Sequence, residues 1–149
     1  MSRTALLDVN VLVALFDPDH VHHEVAHDWF ADQGRRSWST CPLTEVGFIR
    51  VLSNAAYGAS VARPADLAER LRRFCRSGGH EFWSDEVSLL DGSLFDLSRL
   101  GGHRQVADVY LLGLAHKRGG RLATFDRSIP VTAVKGATAE ILEVIASVE

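Results

Sequence analysis

Four carboxylates stand where folding alone gives them little to do. Asp8 interrupts the apolar run LLDVNVL, Leu6 to Leu12, with Asn10 close behind it. Glu45, in TEVGFIRVL, falls in line with Ile49 and Leu52 at helical spacing. Asp108, in HRQVADVYLLGLA, falls in line with Leu111, Leu112 and Ala115. Asp126 follows RLATF directly. An isolated carboxylate is costly to bury, and several brought together hold one another's protons on unless a cation intervenes. Hard oxygen donors with no cysteine among them suit Mg²⁺ or Mn²⁺ better than zinc. Each acid alone has a plainer reading. Asp8 and Asn10 can cap the helix that follows, Glu45 suits the positive end of a helix dipole, and Asp126 in TFDRS has the composition of a turn. Independent caps have no reason to land at one rim, so the joint reading is a metal site.

The elements that must position these acids alternate between strand and helix. TALLD, Thr4 to Asp8, predicts a buried strand, followed by a short helix and a second helix from about Val21 to Gln33. SWST, Ser37 to Thr40, predicts a short strand, and Pro42 opens a helix that runs to about Ala55. RPADLAERLRRFCR predicts a helix closed by Gly78-Gly79, and HEFW, His80 to Trp83, a strand. A helix is expected near Ser93–Leu100, and a longer one from Gln105 to Arg118, stopped by Gly119-Gly120. RLATF and VTAV, near Val131, predict strands, and Ala137 to Val148 a last helix. Strands separated by helices, without two-residue hairpin turns, mean a parallel sheet covered on both faces. The expectation is an α/β fold, one three-layer α/β/α domain over 1–149 with about five parallel strands. Function in such sheets gathers outside the carboxyl ends of the strands. Asp8 ends one strand and Asp126 another. Glu45 lies early in the helix after a third, and Asp108 starts the helix that feeds the Asp126 strand.

Composition sets wide bounds. With 149 residues, the chain is long enough to bury roughly two-thirds of its unfolded surface, and 46% hydrophobic and 23% charged residues are ordinary for a soluble protein. No stretch approaches a membrane span, and Met1-Ser2-Arg3 runs straight into a strand without a secretory leader. Cys41 and Cys75 are too few for a disulfide scaffold and lack metal-type spacing, so reduced thiols in a cytoplasmic protein are expected. The net charge of -3 argues against a general nucleic-acid coat. Positive charge clusters at Arg70, Arg72, Arg73 and Arg76, which make either a solvated helix face or a phosphate contact. DHVHHEVAH brings His20, His23 and His27 near one helical face, which zinc would accept but which aromatic packing beside Trp29 and Phe30 explains more simply.

These segments together resemble a PIN-domain protein of the VapC toxin type. LLDVNVLVALFD is similar to that family's opening strand with its Asp-x-Asn. TEVGFIRVLSN is similar to the segment of the second acid, with its following arginine at Arg50. HRQVADVYLLGLA is similar to the third-acid helix, and GGRLATFDRSI to the strand that ends in the fourth. Arg127-Ser128 follows Asp126 without the further acid some members carry, which leaves the number of metal ions open. The resemblance implies a PIN-like fold and a metal-dependent endoribonuclease, the toxin of a toxin–antitoxin pair, leaving 5′-phosphate and 3′-hydroxyl ends. It implies Asp8, Glu45, Asp108 and Asp126 as the acidic quartet holding Mg²⁺, with Mn²⁺ as a substitute, and Asn10 and Thr40 as supporting groups. Arg50 would contact phosphate or keep the quartet from repelling itself, while His103 and Arg104 would touch RNA or serve only their loop. The implied partners are RNA, with a tRNA or ribosomal RNA loop as the target, a VapB-like antitoxin whose tail sends a cation into the acidic pocket, and a second copy in a homodimer. Val21–Gln33 and Pro42–Ala55 are the expected walls of the antitoxin groove.

Two other functions use the same acids. A PIN-like module could keep its metal and bind without cleaving, though an intact quartet argues against that. An aspartyl-phosphate phosphatase or receiver would want a second acid where Asn10 stands and a lysine near the phosphoryl group, for which Lys135 is the candidate.

Overall fold

The computed structural model describes residues 3–58 and 62–146. Ala5–Leu7 forms β1, buried throughout, and the strand stops where charge arrives. Asp8 keeps an extended backbone and turns its carboxylate onto the Val9 N–H, so it caps α1, Val9–Phe16. Helix α2 follows at His23–Asp32, then β2 at Trp38–Thr40 and α3 at Pro42–Ser53, which opens on proline. Helix α4 covers Pro64–Cys75, β3 His80–Phe82, α5 Val106–Lys117, β4 Arg121–Thr124 and β5 Leu142–Val144. The α5 helix ends as its glycine pair requires. Gly119 sits at φ +69°, and the Gly120 N–H returns to the Ala115 carbonyl at 2.9 Å.

All neighbouring strands run parallel, in the order β3-β2-β1-β4-β5. The chain moves outward from β1 to β3, then restarts on the other side of β1 and moves outward through β4 to β5. The carboxyl ends of β1 and β4 therefore flank the switch point, where connections diverge and leave a crevice.

Alternation along β1 serves a core on each face of the sheet. Ala5 and Leu7 pack with Leu12, Trp29, Phe48 and Leu67 from α1 to α4. Leu6 and Leu122 pack with Leu112 and Leu114 of α5, closed over by Trp83 and Phe95. The result is the expected three-layer α/β/α arrangement. No helix among the described residues is long and apolar enough to cross a membrane.

Three expected elements change. Val131–Ala133 is a 3-10 turn, with the Ala133 N–H closing on the Pro130 carbonyl, so VTAV contributes only one antiparallel bridge, Val134 to Phe95. The fifth strand comes instead from the stretch expected to be helical. After a 3-10 turn at Ala139–Ile141 the chain extends, and the Ile145 N–H reaches the Thr124 carbonyl at 2.8 Å. Ile141, Val144 and Ile145 are β-branched and suit a pleated surface beside the open edge of β4. Residues 147 and 148 of that expected helix lie outside the described residues. The helix expected near Ser93–Leu100 shrinks to a 3-10 turn at Leu97–Arg99. Asp91 and Asp96 accept hydrogen bonds from Ser93 and Ser98, and such local bonds compete with helix.

Gly113, in the middle of α5, is fixed by packing. A Cβ there would lie 2.2 Å from the ring of Phe95, itself only 4% exposed. Alanine gains about 1 kcal/mol of helix propensity, whereas forcing a packed ring aside costs about 1–3 kcal/mol. Gly113→Ala should therefore lower the thermal unfolding midpoint, and an unchanged or raised midpoint would show that the Phe95 layer is loosely packed.

Candidate active site

The switch point gathers polar atoms around one hydroxyl. Thr124, the last residue of β4, is fully buried. Its Oγ1 donates to Asp8 Oδ2 at 2.7 Å. It accepts from Asn10 Nδ2 at 3.3 Å and from the Asp126 N–H at 3.1 Å. One donation and two acceptances exhaust a hydroxyl. This single side chain ties together the end of β1, the first turn of α1 and the loop after β4. The other Asp8 oxygen, Oδ1, accepts from the Val9 N–H at 2.7 Å.

Charge accumulates at the same rim. Asp8 is 5% exposed, and burial raises its pKa above the ordinary carboxylate value. The hydrogen bonds from Thr124 and Val9 oppose that rise, and the charge of Asp126 adds to it. Asp108 lies in the first turn of α5, half-buried, with no hydrogen bond to its carboxylate among the described residues. Burial first, and then the charges of Asp8 and Asp126, push its pKa up to about 7. Asp126 holds its own turn, Oδ1 accepting from the Ser128 N–H at 2.8 Å and the Ser128 hydroxyl at 2.6 Å.

Glu45 stands apart from these three. Its Oε2 accepts from the Thr40 hydroxyl at 2.8 Å, and that hydroxyl lies 2.8 Å from His80 Nε2. With the Thr40 proton given to Glu45, His80 donates through Nε2. Burial lowers the His80 pKa, while Glu45 and Glu81 pull it back up. The like charges that raise the pKa values here are Asp126 acting on Asp8, and Asp8 and Asp126 acting on Asp108; Glu45 is not among them. The structure thus brings together Asp8, Asp108 and Asp126 with Asn10, and sets Glu45 with Thr40 and His80 at the end of the neighbouring strand.

The donors suit a hard divalent cation. They are all oxygen, three of them repel one another as anions, and Asn10 Oδ1 is buried without a partner. Their fit is one of chemistry, since among the described residues no three His, Cys, Asp or Glu side chains stand close enough to hold an ion.

The other candidates divide. His103 and Arg104 are exposed on a 3-10 turn before α5 and line a cleft of about 510 Å³ that reaches Asp126 and Ser128. Arg50 is exposed and, among the described residues, makes no ion pair with any of the four acids. Its five-residue offset from Glu45 turns it to another side of α3. It therefore does not neutralise the acids here. Lys135 is tied to the Gly92 carbonyl, so the lysine an aspartyl-phosphate mechanism needs is engaged elsewhere. In the arginine cluster, Arg70 lies over the Phe16 ring at 5.4 Å, and Arg72 and Arg73 pair with Glu69. Of the histidines, His23 Nδ1 and His27 Nε2 each lie 2.7 Å from a carbonyl oxygen at the end of α1, those of Ala14 and Leu15. They serve as caps of that helix, which accounts for two of the three expected to share a face.

Residues 5–135 match the PIN domain. The chain belongs to the PIN-domain family. Among proteins similar to this PIN domain, Ribonuclease VapC44 of Mycobacterium tuberculosis is 51% identical over 140 residues, spanning 93% of this chain and 96% of the relative. Ribonuclease VapC39 of the same organism is 43% identical over 133 residues, 89% of this chain and 96% of its own. Ribonuclease VapC38 is 46% identical over 125 residues, 84% of this chain and 86% of its own.

Sequence reasoning missed Thr124 and His80. Thr124 had a signal of the same kind as Asp8, a polar residue ending a buried strand. His80 had none, because its partner arrives from another strand.

Two outcomes test this geometry. Thr124→Val keeps the shape but strands Asp8, Asn10 and the Asp126 N–H, and should cost about 1–3 kcal/mol in denaturant unfolding, with Thr124→Ser close to the parent. Asp108 has a raised folded pKa, so with divalent cations removed its contribution to stability is fully present below about pH 3.8 and is lost as pH rises to about 7. Asp108→Asn should therefore gain in melting temperature over the parent as pH climbs through that window. A difference independent of pH would mean that Asp108 is not electrostatically strained.

Proposed function

We propose that this PIN domain is a divalent-metal-dependent endoribonuclease and the toxin of a toxin–antitoxin pair. The supporting observation is the meeting of Asp8, Asp108 and Asp126 at the sheet's switch point, where burial and the charges of its two neighbours lift Asp108 to about 7. Similarity to proteins named as ribonucleases over nearly the whole chain supports the choice of RNA. Asp8 and Asp108 would be the principal ligands of the cation, with Glu45 and Asp126 as further ligands and Asn10 in support. Mg²⁺, or Mn²⁺ in its place, supplies a lowered water pKa and relief of phosphoryl charge when bound.

The chain's own residues do the rest. Thr124 and the Val9 N–H fix both Asp8 oxygens, so that carboxylate is oriented before any ligand arrives. Asp108 gives up its proton as the cation binds, which makes affinity rise with pH. His103 and Arg104 offer cationic and donor groups beside Asp126 for the incoming phosphate, and Arg50 offers a further phosphate contact. The Thr40 hydroxyl, backed by His80, holds Glu45 at the neighbouring strand end. The substrate is an exposed loop of a structured RNA, a tRNA or ribosomal RNA. The partners are a VapB-like antitoxin, seated between α2 and α3, and a second copy of the chain, all in the cytoplasm.

Asp8→Asn and Asp108→Asn should each reduce cleavage of RNA in Mn²⁺ by on the order of 100-fold or more, about 2.7 kcal/mol of barrier, without lowering the unfolding temperature. EDTA should abolish cleavage by the parent. Full activity in either variant would remove the basis of the assignment.

A further inference from the structure

His20 and His22 are left without the work that occupies the other two histidines of this segment. His22 is exposed and makes no side-chain hydrogen bond among the described residues, and His20 Nδ1 only accepts from the His22 N–H at 3.0 Å. Both rings instead gather on Phe125. His22 lies 4.5 Å from it, centroid to centroid, at 30° between planes. His20 lies 6.3 Å away, stacked at 24°. Phe125 is the residue between Thr124 and Asp126, and its ring packs into the core beneath α1 and α2. The stack therefore ends in an exposed imidazole, and its anchor in the interior is the chain neighbour of Asp126.

The cleft of His103 and Arg104 also reaches Asp126. Beyond His22 the surface becomes acidic, with Glu24, Asp28 and Asp32 lining the groove of about 710 Å³ between α2 and β5. A polyanion is repelled there, so its backbone is favoured on the Arg104 side of Asp126, while a flat uncharged group can extend toward His22. Unstacked bases of single-stranded RNA are held on aromatic and histidine faces in this way.

We infer that His22, backed by His20 and Phe125, is a nucleobase-stacking platform that seats one unpaired base of the RNA next to the scissile phosphate. The inference rests on the ribonuclease reading and names the substrate contact that would give it a preference for unpaired nucleotides. His22 acts as a positioning residue, through the base and not on the reacting atoms.

The test measures binding of short single-stranded oligoribonucleotides of mixed sequence, and of matching ribose-phosphate strands without bases, to the full chain in EDTA. The parent should prefer the strands that carry bases. His22→Ala should lose about fivefold or more of that affinity and much less toward the baseless strands, and His22→Phe should restore it. Equal binding of bases by the parent and His22→Ala overturns the platform, as does a His22→Phe variant no better than alanine, which would assign His22 a hydrogen bond or charge instead. RNA cleavage by the parent in Mn²⁺, run in parallel, separates these failures from failure of the ribonuclease reading. A parent that cleaves while His22→Ala binds normally loses only the platform, and a parent that neither cleaves nor binds RNA loses both.

Discussion

Three carboxylates that repel one another share the rim between β1 and β4, and burial together with the charges of Asp8 and Asp126 pushes the pKa of Asp108 up to about 7. Their neighbourhood follows from topology. Only at the switch point do two adjacent strands send their connections apart and leave room above the sheet for side chains from a third element. Helix α5 supplies that element because its far end feeds β4, so its first turn must lie at the carboxyl edge. The two cores can be seen as the support for this arrangement. An apolar face on each side of a short central strand keeps Asp8 and Thr124 within 2.7 Å of each other.

Relief of the repulsion is unevenly distributed. Asp8 receives two hydrogen bonds and Asp126 two from Ser128, whereas Asp108 receives none among the described residues. A folded chain selected only for stability would place an amide or an alkyl group at 108, since removing a buried like charge costs nothing in packing. Strain retained at a rim, with the rest of the fold well satisfied, is the pattern expected where function sets the local sequence.

Much of the sheet and its rim was legible because the relevant signals are local. Polar residues that end apolar runs marked Asp8 and Asp126, helical spacing put Asp108 on an apolar face, and glycine pairs stopped α5. What escaped depends on partners distant in sequence. Leu142–Val144 is a strand because β4 offers an open edge beside it, and no pattern within the segment announces a neighbour. Thr124 matters through Asp8 and Asn10, more than a hundred positions away. The histidines were grouped by helical spacing, yet the chain bends before α2. His23 and His27 turn inward to the end of α1, and His20 joins His22 on Phe125 instead.

Glu45 shows how far one strand spacing can matter. Strand β2 lies beside β1 in the sheet, so the end of β2 sits about 4.8 Å farther along than the end of β1. The Glu45 carboxylate, in the first turn of α3, is held at that strand end by the Thr40 hydroxyl at 2.8 Å. That hydroxyl is itself held by His80 from the next strand outward. Two of the four carboxylates are thus restrained by a threonine from a strand end, Asp8 by Thr124 and Glu45 by Thr40. The difference lies in what the threonine joins. Thr124 binds two loops of the rim to one another and holds one Asp8 oxygen while the Val9 N–H holds the other, whereas Thr40 joins Glu45 only to an edge strand. Asp8 is consequently held rigidly at the rim, and Glu45 hangs on a single tether whose release would leave the rim intact.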